Sequence, residues 1–183
     1  MKNLTLLITV TLFLLVNLQR ERFLTRTGQV QFNASVPSFE PVEAINNNAT
    51  IVLDVKSGEL AALVLLRGFK FPIALMEEHF NENYVESDTY PKAVLKGTLA
   101  EFSSTALDDA LLHEYTFKGT IELHGKKELL EFPVNLTQSG EQVKLTANFT
   151  LLPERFNIEI PSIVSNKIAD EINVSVNAVL EKR

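Results

Sequence analysis

An all-β fold of antiparallel strands, arranged as a sandwich or a barrel, is predicted from three features of the sequence. Apolar and polar residues alternate with period two along most of the chain from Arg22 onward. Turn pairs, Ser57-Gly58, His124-Gly125 and Ser139-Gly140, separate the alternating runs. No repeat, low-complexity tract or Pro/Gly-rich linker interrupts them, so the part after the N-terminal segment reads as one domain.

The segment 28–36 places Val30, Phe32, Ala34 and Val36 on one face, and 49–56 alternates more weakly. Residues 59–66 are apolar at every position after Glu59. With charged Arg67 fixing the outward parity, Ala62, Val64 and Leu66 point inward and Leu63 and Leu65 outward. An outward apolar pair needs a cover, and the chain's own helix is the expected one, ahead of the N-terminal segment or a partner subunit. That helix is predicted at 73–84, after Pro72, where Ile73, Met76, Phe80 and Tyr84 recur about one helical turn apart.

Strands follow at 92–102, 115–124, 128–136 and 142–151. In the last, Val143, Leu145, Ala147, Phe149 and Leu151 alternate with Lys144, Thr146, Asn148 and Thr150. A proline-initiated helical turn is expected at 161–171, running into a strand at 171–178. Strict alternation of this kind marks a sheet with one buried and one wet face. Short links join antiparallel neighbours, and roughly seven or eight such strands make a sandwich or a barrel.

The N-terminus reads as an address. Residues 1–18 carry Lys2 and then an almost unbroken apolar run from Leu4 to Leu18, the pattern of a secretory signal. The run is too short to cross a hydrocarbon core of about 30 Å. Residues 1–19 are therefore assigned to a signal peptide and 20–183 to the domain, with an exported, periplasmic or secreted destination. No small-x-small pattern precedes Gln19-Arg20, which leaves the cleavage position open.

Composition removes several function classes. The absence of cysteine among 183 residues excludes disulfides, thiolate zinc sites and a cysteine nucleophile. A net charge of −6 argues against nucleic acid, which requires a concentrated basic surface. The histidines, His79, His113 and His124, join no metal or catalytic pattern, and the acid pairs Glu77-Glu78 and Asp108-Asp109 read as surface charge. No G-x-S-x-G elbow, phosphate loop or H-E-x-x-H is present, so neither a catalytic set nor a metal or cofactor is expected. The N-x-S/T triplets from Asn3 to Asn173 fit outward Asn and Thr on strands better than glycosylation.

The inward faces carry small residues, Ala34, Gly97, Gly119 and Ala147, near mid-strand. A solid core prefers bulk there. Two explanations stand equally: room for an elongated apolar ligand, or the coiling that closes a barrel.

Residues 69–97, FKFPIALMEEHFNENYVESDTYPKAVLKG, resemble the signature region of the YceI-like family of exported bacterial proteins. The helix from Leu75 to Tyr84, the Ser87-x-x-Tyr90-Pro91 link and the strand starting Lys92-Ala93 carry the likeness. The stretches LHGKKELLEFPVNL (123–136) and FNIEIPSIVSNKIADEINVSV (156–176) agree with it, as does the start at Thr25-Arg26-Thr27-Gly28. The sequence departs from the family at Leu95, where an aromatic is common, and at Lys126-Lys127.

The resemblance implies an antiparallel, about eight-stranded lipocalin-like β-barrel with one or two short helices, often dimeric. Its interior would hold a polyisoprenoid chain or an isoprenoid quinone. It also implies that His79, Asn83 and Tyr90 are structural and that the helix closes or plugs one end. The expected function is to bind and carry, or shield, such a lipid in the cell envelope. A homodimer and a transient membrane contact are compatible with it. The rival reading is a non-catalytic, stress-related interaction module with a side-chain-filled barrel. Inward parity and central position select the expected lining: Phe32, Ala34, Val64, Leu66, Phe71, Leu95, Phe117, Gly119, Ile121, Phe132, Val134, Leu145, Ala147 and Phe149.

Overall fold

A computed structural model describes residues 21–37, 39–105 and 110–183. The segment read as a signal and the Asp108-Asp109 pair lie outside the described residues. Among those described, eight strands close into an antiparallel barrel in chain order. They are β1 (Arg22–Ser35), β2 (Glu43–Asp54), β3 (Glu59–Leu65), β4 (Lys92–Leu99), β5 (His113–Leu123), β6 (Lys126–Ser139), β7 (Gln142–Leu151) and β8 (Ile168–Lys182). Pairing of β1 with β8, from Phe23 with Lys182 to Ser35 with Ile168, completes the closure and leaves no open edge.

Strand β1 begins six residues earlier than its alternation suggests. Phe23 and Thr25 are buried, then Gly28, Val30 and Ala34, so the inward parity flips at Arg26-Thr27. Strand β2 flips likewise at Asn47-Asn48, between buried Asn46 and Ala49. Register shifts on both sides of the Gly28–Ala49 pair mark two β-bulges, each inserting one residue and reversing the face of those that follow.

Because each strand antiparallels the next, the links 36–42, 66–91, 124–125 and 152–167 gather at one end of the barrel. The links 55–58, 100–112 and 140–141 and the described chain ends lie at the other. The predicted helix is present as α1 (Ala74–His79), continued by a π-helical turn through Tyr84. The helical turn expected at 161–171 is not. Residues 162–167 are turns that lead directly into β8, and the proline-initiated helical turn is instead a 3-10 turn at Pro153–Phe156.

Two devices tie α1 to the barrel. The Lys70 ammonium and the Phe71 N–H both donate to the Glu77 carboxylate. The Lys70 hydrogen bond, aided by that N–H against the opposing effect of burial, holds Glu77 below the ordinary carboxylate pKa. Nearby, buried Asn46 donates to the Leu65 carbonyl at 2.9 Å and accepts the Asn48 N–H at 2.8 Å, so its burial leaves neither end unpaired. The helix does not cover the outward apolar pair: Leu65 is 57% exposed, and Leu63 is half-buried.

Candidate functional site: an apolar cavity in the barrel

The interior is filled in one half and hollow in the other. Toward the end that holds the described chain ends, Phe23, Leu53, Val55, Leu99, Phe117, Leu136, Val143 and Leu180 form a close-packed core. At that end Phe102 lies against Tyr115, with ring centroids 5.2 Å apart. Toward the other end the strands enclose a cavity of about 370 Å³, within the size range of small-molecule sites.

Every strand except the glycine-bearing part of β5 delivers residues to the wall as the alternation requires. Phe32 and Ala34 come from β1, Val64 from β3, Leu95 from β4 and Ile121 from β5. Phe132 and Val134 come from β6, and Leu145, Ala147 and Phe149 from β7. Leu66 and Phe71 reach the wall from the link that precedes α1. Phe32 meets Phe69, Phe71 and Phe80 at centroid distances of 5.2, 5.7 and 5.4 Å, forming an aromatic cluster beneath the helix. Across the cavity, Phe132 and Phe149 stack at 4.4 Å.

Two expected lining residues, Phe117 and Gly119, are not on the wall. Gly97 and Gly119 face each other across β4 and β5. A Cβ on Gly119 would stand 2.3 Å from the Lys96 carbonyl oxygen, and a Cβ on either glycine 2.6 Å from Cζ of Phe117. The space over this pair is therefore occupied by the Phe117 ring, which is fully buried and stacks on Phe132 at 4.8 Å. Room for a ligand therefore does not account for these glycines; close approach of the β4 and β5 backbones, together with the Phe117 ring, does. Ala34 and Ala147 do border the open space.

Sequence reasoning expected the helix to close one end of the barrel and missed the other half of the roof. Met76, His79, Phe80 and Tyr84 line the cavity from α1 and its π-turn, while Pro153, Phe156, Ile158, Ile160 and Val164 line it from the β7–β8 link. The helical residues carried a 3.6-residue signal, but the link is irregular and has no period to read. From β8, Ile172, Val174 and Val176 also contribute and were visible in the alternation.

Among the described residues, the titratable side chains on the wall are His79, Tyr84 and Lys167. His79 and Lys167 are exposed, so the cavity reaches the surface beside them. Burial raises the pKa of the Tyr84 hydroxyl, keeping it neutral. Among the described residues no carboxylate lines the cavity, and no group of three His, Asp or Glu could hold a metal ion.

His124 serves the roof without reaching the cavity. Its Nδ1 lies 2.8 Å from the Phe156 carbonyl oxygen, its Nε2 lies 3.6 Å from Glu86, and its ring meets Tyr90 edge-on at 4.5 Å. Tyr90 in turn packs under Gly125, whose φ of +71° suits glycine in this turn. These contacts join three links at the cavity end, and they agree with a structural role for Tyr90. His79 and Asn83 are exposed.

A closed eight-stranded barrel with an apolar interior cavity, opening beside a short helix, defines a lipocalin-like binding architecture. The YceI-like domain model matches residues 13–180, and the chain belongs to that family. Solved structures share the fold. A polyisoprenoid binding domain from Saccharophagus degradans, implicated in plant cell wall breakdown, aligns with TM-score 0.75 at 14% identity, covering 88% of this chain and 98% of that one. BcnA of Burkholderia cenocepacia aligns with TM-score 0.68 at 18% identity, covering 83% and 95%. A Campylobacter jejuni YCEI protein aligns with TM-score 0.58 at 13% identity, covering 74% and 81%. No curated protein sequence matches the chain.

Proposed function

We propose that the protein binds a long apolar isoprenoid lipid, a polyprenyl chain or an isoprenoid quinone, inside the barrel, and carries or shields it in the cell envelope. The observation that carries this reading is the 370 Å³ cavity, walled mostly by aliphatic and phenylalanine side chains, with His79 and Lys167 where it opens and Tyr84 on its wall. Such a wall recognises a ligand by length and shape. Each buried methylene contributes about 0.8 kcal/mol, so affinity accumulates along a chain without polar contacts. Phenylalanine suits the wall because it brings no N–H that would need a partner in a dry interior.

Membership of the YceI-like family and the likeness to a polyisoprenoid binding domain support the same ligand class. The reading is non-catalytic and needs no cofactor. Export, with residues 1–19 as the signal, a dimeric state and a transient membrane contact belong to it as sequence expectations. Among the described residues no helix is long and apolar enough to cross a membrane. The rival interaction module requires an interior filled by side chains, which the open half of the barrel disfavours.

Titrating the protein with a polyprenyl alcohol, and separately with a short-chain alcohol of the same head group, tests the proposal by calorimetry. Saturable binding of the polyprenyl compound alone supports it. No heat and no co-elution on gel filtration would refute it.

A further inference from the structure

We infer that Phe117 sets the length of isoprenoid chain the barrel accepts, an inference that rests on the isoprenoid reading of the cavity. The ring occupies the divide between the hollow and filled halves. Ile121, four residues further along β5, and Phe132, stacked on Phe117, both face the cavity, whereas Phe117 itself is fully buried. Its position is dictated by the backbone. Gly97 and Gly119 leave no atoms where Cβ would be, and Cζ of Phe117 fills the place beside both.

On the far side of the ring the barrel offers no space. Leu99, paired with Phe117, is buried, as is Tyr115, which Phe102 backs. An apolar chain entering beside His79 and Lys167 therefore ends against a floor at Phe132, which the Phe117 ring backs at 4.8 Å, while the polar head of an amphiphile stays at the mouth. Carbons beyond the floor remain in water and add nothing to affinity. Cutting Phe117 back opens the seat over the glycine pair to the ligand.

The test is a series of polyprenyl alcohols of increasing isoprene number, titrated into the full chain. Wild-type affinity should rise with length and then level off at a limit. Phe117→Ala should move that limit upward. One further buried methylene is worth about fourfold in affinity, so a chain one isoprene unit beyond the wild-type limit should bind the variant at least about tenfold tighter than wild type. Phe117→Leu should move the limit in the same direction by less, and it carries the test if the alanine variant does not fold. An unchanged limit in the folded variants, or no limit in the wild type, overturns the assignment of Phe117 while leaving the lipid reading intact. A wild-type protein that takes up none of the series overturns both.

Discussion

Adding one methyl group at Gly119 is expected to destabilise the barrel far more than its size suggests. The ideal Cβ meets the Lys96 carbonyl oxygen at 2.3 Å, Cα of Gly97 at 2.6 Å and Cζ of Phe117 at 2.6 Å. Two of these contacts are backbone atoms of the paired strand and can yield only by parting β4 from β5. Overpacking of well-packed interiors costs about 1–3 kcal/mol, and a backbone clash on two sides belongs at the upper end, about 3 kcal/mol for Gly119→Ala. For a domain of this size each kcal/mol lowers Tm by about 2–4 °C, so a fall of about 6–12 °C is expected by thermal denaturation followed by circular dichroism. Adding Phe117→Leu should recover only part of the loss, because it relieves the ring contact and leaves the Lys96 oxygen in place. A Gly119→Ala protein melting within about 2 °C of wild type would show that the strands are not held at this distance, and the account of the glycine pair would fail.

Three further outcomes are expected. Ala147→Phe places a ring in the open half, opposite Val134 and Val176, and displaces about five ligand carbons; affinity for a polyprenyl alcohol should fall by up to about 4 kcal/mol while the circular dichroism spectrum is kept, and unchanged affinity would contradict the cavity as the site. Burial alone would raise the pKa of Asp54, but the N–H groups of Lys56 and Ser57, the Ser57 hydroxyl and Arg22 outweigh it and hold the carboxyl below its ordinary value of 3.8. Its contribution is thus present above the unfolded-state pKa and lost as pH falls through the lower native one; Asp54→Asn should cost about 1–2 kcal/mol in urea melts at pH 7 and flatten the acid limb, and an unaltered limb would refute the linkage. Glu77→Gln weakens the Lys70 and Phe71 contacts that hold α1, so ligand release in stopped-flow experiments should quicken while stability falls by less than about 1 kcal/mol; an unchanged release rate would mean that α1 does not gate the cavity.

Much of the barrel was legible because a one-sided sheet writes its buried face into alternate residues. Strands β5 to β8 and the inward set of Ala62, Val64 and Leu66 follow from that rule directly. The rule fails where geometry breaks the period. The bulges at Arg26-Thr27 and Asn47-Asn48 reverse parity inside β1 and β2, so the alternation read from residues after them assigns those before them to the wrong face. Gly119 shows a different limit. Inward parity places it correctly, but parity cannot say whether a small residue makes room for a ligand or for the neighbouring ring of Phe117. The roof from Pro153 to Val164 was invisible for a third reason: its residues are held by turns and by His124, whose partner carbonyl lies 32 positions away in sequence. The exposed Leu65 corrects the expectation that the helix covers it, since α1 is drawn to the barrel end by Lys70 and Phe71.

The central claim is that the hollow half of the barrel holds an isoprenoid lipid. The most direct measurement is organic extraction of protein purified from its producing cells, followed by mass spectrometry of the extract against that of a Ala147→Phe control. The account predicts a polyprenyl or quinone species near one equivalent per barrel in the wild type and its depletion in the control. A reproducibly empty wild-type barrel that also takes up no added polyprenyl lipid would contradict it.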